Sequence, residues 1–123
     1  MNTAFEIETP VEKLYDLGMI NQLCRGNSDL TKKMVQLFIK EIPFSVEEIK
    51  QAYKQKDFVT LHKTAHRIKP VLSMYSIVKV EKDIELLENM LNEEKVTPET
   101  ELKIIRLDNV ISLVTKQMNR YIS

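Results

Sequence analysis

Apolar residues in this chain recur three and four positions apart through most of its length, the period of helices with one buried face. A short first helix is expected around Leu17, Ile20 and Leu23, capped by Asp16 and stopped at Gly26-Asn27. Ser28 then opens a long helix with Asp29 in its first turn and an apolar edge of Leu30, Met34, Leu37, Phe38, Ile42, Ser45, Ile49 and Ala52; its interior Pro43 predicts a bend. Asp57 caps a third helix whose Phe58, Leu61, Ala65, Ile68 and Leu72 share a face, with Thr64 and Tyr75 at the margins. Ser76 opens a fourth, with Ile77, Val80, Ile84, Leu87 and Leu91 along its seam. After a polar connection over Asn92 to Thr97, the run Thr97-Pro98-Glu99-Thr100 supplies a cap, a first-turn proline and an acidic start for a last helix reaching Tyr121. Its stripe is Ile104, Leu107, Ile111, Val114, Met118 and Tyr121. Long amphipathic helices of about 25 to 40 Å, joined by short loops, pack most simply as an all-α, antiparallel up-down four-helix bundle, with the short first helix over one end.

Composition narrows the functions such a bundle can serve. The 123 residues carry 18 basic and 18 acidic side chains without a long run of one sign, which argues against nucleic-acid or membrane-surface binding through a bulk positive field. The length suits one domain over residues 1–123. Two glycines, spaced apart, exclude the Gly-rich phosphate cradles of dinucleotide and P-loop sites, so nucleotide chemistry is not expected. The single cysteine, Cys24, cannot close an internal disulfide and reads as a packed residue of a reduced, cytoplasmic protein. Met1 to Pro10 lacks the basic start and apolar stretch of a signal peptide, and no apolar run has the length of a membrane span.

The candidate chemistry lies on the third helix. The chain has two histidines, His62 and His66, one turn apart and both off the apolar face, with Lys69 and Ser73 on the same polar side. An exposed imidazole is a competent nucleophile, because one nitrogen keeps its lone pair near neutral pH while the other is fixed by a hydrogen bond. Lys69, one turn on, is placed to neutralise a phosphoryl group carried by His66. The pair also has the spacing of two metal ligands, but no intervening Glu or obvious third ligand accompanies it, so no metal site is expected.

Ala65-His66-Arg67-Ile68-Lys69 resembles the Ala-His-x-Leu-Lys-Gly signature of histidine-containing phosphotransfer (HPt) domains, which pass phosphoryl groups between receiver-domain aspartates in multistep two-component signalling. Tyr15-Asp16-Leu17 before a short helix, the Gly26-Asn27 break, the proline of the second helix and Asp57 ahead of the histidine are similar to that family too, so that the likeness covers about residues 14 to 95. The resemblance implies that His66 is the phosphoacceptor and that Lys69 stabilises its phosphorylated form. It also implies a docking surface for receivers, to which His62, Pro70, Ser73, Ile20 and Leu23 are assigned. Where the family has glycine after the lysine, this chain has Pro70, which lacks the N–H that would bond the His66 carbonyl and so predicts a kinked or loosened turn. The family often places a glutamine on the following helix against the histidine ring; counting along the loop puts Glu88 there, where its carboxylate accepts from Nδ1–H and leaves the other nitrogen as the nucleophile.

The reading is therefore a stand-alone, monomeric HPt protein. It is a phosphocarrier and not an enzyme in its own right, binds no cofactor, and meets receiver domains of response regulators or hybrid histidine kinases that bring their own Mg²⁺. Two alternatives stand beside it. One is a helical-bundle adaptor that binds a signalling partner without phosphorylation, Pro70 marking a degenerate motif. The other is the excised phosphoacceptor domain of a chemotaxis-type kinase.

Overall fold

Five α-helices are present among the residues described by the computed structural model, 12–90 and 92–123: α1 Gly18–Leu23, α2 Ser28–Lys54, α3 Phe58–Met74, α4 Glu81–Glu88 and α5 Pro98–Ile122. Met1 to Pro10 and Leu91 lie outside the described residues. Helix α2 packs against α3 and α5, and α4 packs against α3 and α5, which closes a ring of four helices around one core. The fold is an all-α four-helix bundle, and among the described residues there is no strand.

Local chemistry accounts for the helix starts. Asp57 caps α3, its carboxylate accepting from the Thr60 amide at 3.1 Å and from the Thr60 hydroxyl at 2.7 Å. Thr97 caps α5 in a reciprocal capping box with Thr100, and Pro98 occupies the first turn, where a missing N–H costs nothing. The cap of α2 is Asn27, whose Oδ1 accepts from the Leu30 amide at 3.0 Å; Ser28, expected as the cap, is already the first helical residue. Asp16 Oδ2 accepts from the Gly18 amide at 2.9 Å, at the start of α1. Both interior prolines are accommodated within their helices, Pro43 in α2 and Pro70 in α3.

Helices α1, α2 and α3 end in the same way. In each, the residue after the C-cap is left-handed (Arg25, φ 53°; Lys56, φ 57°; Ser76, φ 57°), and paired amide bonds reach back to the last turn. For α3 these are Ser76 N–H to Ser73 O at 3.0 Å and Ile77 N–H to Leu72 O at 2.9 Å, a Schellman closure built without glycine. Ser76 therefore ends α3 and does not open the next helix. A 3₁₀ turn, Val78–Val80, intervenes, and α4 is a two-turn helix of 8 residues, about 12 Å, not one of four long ones.

The buried stripes follow the expected period with three displacements. In α2 the inner line is Thr31, Val35, Phe38, Ile42, Ser45, Val46, Ile49 and Ala52, while Leu30 and Leu37, seven apart on a neighbouring line, are exposed. In α5 the stripe continues from Met118 to Ile122, four residues on, and Tyr121, three on, turns outward. On α1, Ile20 is 0 % exposed and Leu23 lies on the surface.

Segment 12–17 and α1 close the end of the bundle where α2 starts and α3 stops. The Asp16 amide donates to Tyr75 O at 3.0 Å, Leu14 and Glu12 exchange hydrogen bonds with the Gln117 amide at 2.9 and 2.7 Å, and Thr31 Oγ1 donates to Asn21 Oδ1 at 3.1 Å. Tyr75 anchors this end: its hydroxyl donates to Met34 O at 2.8 Å. Burial first, then the nearby Cys24 and Glu41, push its phenol up to about 12. A raised folded-state value means that the folded chain holds a proton which the unfolded chain releases, so this contribution is complete below about pH 10 and is lost as pH rises toward 12. Wild type is expected to lose more stability across that window than Tyr75→Phe in urea unfolding; equal losses would show that Tyr75 does not titrate against folding.

Candidate functional site

The polar side of α3 faces the C-terminal end of α4, and three of its side chains converge on Glu88, the last residue of that short helix. His66 Nδ1 meets Glu88 Oε2, Lys69 Nζ donates to Glu88 Oε1 at 3.0 Å, and His62 Nδ1 meets the main-chain carbonyl of Glu88. Glu88 is tucked in, its side chain 16 % exposed, while the His66 side chain is 71 % exposed. The two imidazoles lie nearly parallel, their centroids 6.2 Å apart at 17°.

Charge fixes the protonation pattern. Hydrogen bonds from His66 and then from Lys69 hold the Glu88 carboxyl below its usual range, so it is a carboxylate near neutral pH, and the bond to Glu88 holds the Lys69 ammonium above its own. A carboxylate and a backbone carbonyl can only accept. Both histidines therefore carry their proton on Nδ1, and in the neutral rings Nε2 holds the lone pair. The rings differ in what lies behind them. His66 has an anion at Nδ1 and a lysine one turn on; His62 has a neutral carbonyl and is partly buried. A carboxylate at Nδ1 of an exposed ring, itself shared with a lysine, is an arrangement that can support nucleophilic chemistry at the other nitrogen of His66.

Sequence reasoning brought His66, Lys69 and Glu88 together, and His66 and Lys69 each meet a carboxylate oxygen of Glu88. Pro70 and Ser73 are exposed on the same helix, and Leu23 is exposed on α1. Ile20 is a correction: it points into the core at the capped end and offers no surface to a partner. Arg67 is exposed on α3 and reaches across to α2, donating to Ser45 Oγ and Glu48 Oε1, both at 2.9 Å. Phe44 was overlooked. It is 67 % exposed and shares a surface hollow with Arg67, and its spacing of seven from Leu37 and fourteen from Leu30 marks an outward apolar line on α2.

A family model of the Hpt domain matches residues 33–116, which takes in most of α2, all of α3 and α4, and α5 to its final turns. The chain belongs to the Hpt domain family. Hpt domains are helical bundles that carry phosphoryl groups in two-component signalling, and they work with receiver domains. The matched Hpt region contains His66, Lys69 and Glu88 and excludes α1. No curated protein and no solved structure matches the chain. Among the described residues, no helix of this Hpt domain is long and apolar enough to cross a membrane.

Proposed function

We propose that the chain is a phosphorelay intermediate, accepting a phosphoryl group from a receiver aspartate onto His66 and passing it to another receiver. The observation that carries this reading is the Glu88 carboxylate bridging His66 Nδ1 and Lys69 Nζ beside an exposed ring. In the forward step the Nε2 lone pair attacks phosphorus, the N–P bond forms, and the bond to the aspartate oxygen breaks, leaving a carboxylate on the receiver. Nε2 bears no proton beforehand, so none has to leave. The positive charge that develops on the ring is shared with Glu88 through Nδ1–H. Lys69 compensates the roughly −1.5 to −2 charge of the incoming group. Delivery to the next receiver reverses these events.

The receiver supplies Mg²⁺ and its acidic pocket; this chain supplies an oriented nucleophile and a docking surface, and so acts as a carrier. In this reading residues 1–123 work as one monomeric unit in the cytoplasm. His62, Pro70, Ser73 and Leu23 border the partner.

The test is incubation with a receiver phosphorylated on its aspartate, in the presence of Mg²⁺. Label is expected to move to this chain in an acid-labile, alkali-stable form, as suits a phosphoramidate. Lys69→Ala should slow the transfer or shorten the life of the phosphorylated form, with the circular dichroism spectrum unchanged. No labelling from any receiver of the host, with binding retained, would favour an adaptor that docks without phosphorylation and would make Pro70 the suspect residue.

A further inference from the structure

We infer that His62 is a positioning residue for phosphoryl transfer, holding the end of α4 so that the Glu88 carboxylate stays against His66 Nδ1. The inference rests on the proposed role of His66 and adds a part to it. Helix α4 has only 8 residues, and Glu88 is the last of them. The last turn of a helix is its least secure, because its carbonyls find no amide four residues on within the helix. Two turns also lie far below the length at which a helix holds itself together, so the end of α4 must be held by its neighbours.

His62 provides that hold. Its Nδ1–H donates to the Glu88 carbonyl from one turn before His66 on α3, so the main chain and the side chain of one residue are gripped by consecutive turns of the same helix. The donor suits its place, since a histidine beside a helix C-terminus also faces the negative end of the helix dipole. Buried Leu87 and Met90 and the amide bonds of Asn89 and Met90 close the end of α4, but without His62 the only polar ties from α3 to Glu88 would run through its carboxylate, from Lys69 and from His66 itself, the group whose orientation it sets. A restraint on the backbone leaves the carboxylate in position even when Lys69 turns from Glu88 toward a phosphoryl group.

Two variants separate this role from shape and from docking. Asparagine places an amide N–H near the position of the imidazole Nδ1–H, so His62→Asn keeps the donor; His62→Phe keeps a flat ring and loses it. Nitrogen NMR of the His66 ring, recorded without any receiver, should show the Nδ1–H tautomer dominant in wild type and in His62→Asn, and a shift toward mixed tautomers in His62→Phe. Transfer from a saturating phosphorylated receiver should slow about two- to tenfold in His62→Phe, the range spanned by one net hydrogen bond, and recover in His62→Asn. A wild-type His66 spectrum and saturated rate in His62→Phe would overturn the inference. So would equal loss in both variants, or a change confined to the receiver concentration needed for half-maximal rate, which is the mark of a docking residue. Persistence of label in His66→Gln would instead refute the phosphoacceptor reading, and the ring spectrum would still judge the grip of His62 on α4.

Discussion

His66→Gln is expected to take no label from a phosphorylated receiver, while its melting curve stays close to that of wild type. Glutamine reaches about as far as histidine and remains polar, but its amide nitrogen has no available lone pair and cannot attack phosphorus. The cost to folding should be small because the His66 side chain is 71 % exposed, and substitutions at such positions usually stay within about 0.5 kcal/mol. Glu88 keeps its bond to Lys69 in the variant, so the buried end of the network remains satisfied.

The comparison with His62 gives this result its meaning. Both rings present a bare Nε2, so an acceptor chosen by tautomer alone would leave the two equal, and the greater exposure of His66 only begins to separate them. What separates them further is the charge around each ring. Only His66 has a carboxylate behind it to share the positive charge formed on phosphorylation, and only His66 has a lysine one turn on. His62→Phe, which loses the donor to Glu88, should therefore reach the same final extent of labelling, more slowly. Full labelling of His66→Gln, measured by autoradiography beside wild type, would move the acceptor elsewhere on the chain.

Helix α3 and its chemistry were legible in the sequence because every signal lay within a few residues: the cap at Asp57, the apolar period through Leu72, and His66 and Lys69 one turn apart on the opposite side. Two elements were harder to read. The left-handed position that closes α3 is filled by Ser76, where glycine is the usual sign, and serine before an apolar run reads equally well as the cap of a new helix. That single residue cost α4 its true length. Exposed Leu30 and Leu37 read as core because their period is helical, and only the packing of α3 and α5 against α2 decides which of two adjacent lines is covered. The contact of His62 with Glu88 left no trace at all, since a main-chain carbonyl has the same chemistry whatever the residue. Glu88 itself was reachable by counting, because the Schellman turn and the short 3₁₀ segment return the chain directly onto α3.

Phe38→Ala is expected to destabilise the fold by about 3 to 5 kcal/mol, the largest single effect predicted for the core. Phe38 is 2 % exposed, and its ring lies 4.8 Å from that of Tyr75, tilted at 54°, an arrangement that adds to the burial of both. Tyr75 in turn bonds to Met34 through its hydroxyl and accepts the Asp16 amide through its carbonyl, so the cavity would open where α2, α3 and the segment before α1 meet. Since domains of this size have about 5 to 15 kcal/mol in total, the loss should lower the melting temperature by on the order of 10 to 20 °C. Phe44→Ala is the control. Its ring is 67 % exposed on the same helix, and its removal should change stability by about 0.5 kcal/mol or less. Urea unfolding of the two variants, with unchanged denaturant slopes, measures the difference directly, and a cost below about 1 kcal/mol for Phe38→Ala would mean that the α2–α3 seam is not packed as described. The fraction of Phe38→Ala that remains folded should still accept phosphoryl groups, because the contacts among His66, Lys69, His62 and Glu88 run between α3 and α4 and use no atom of α2.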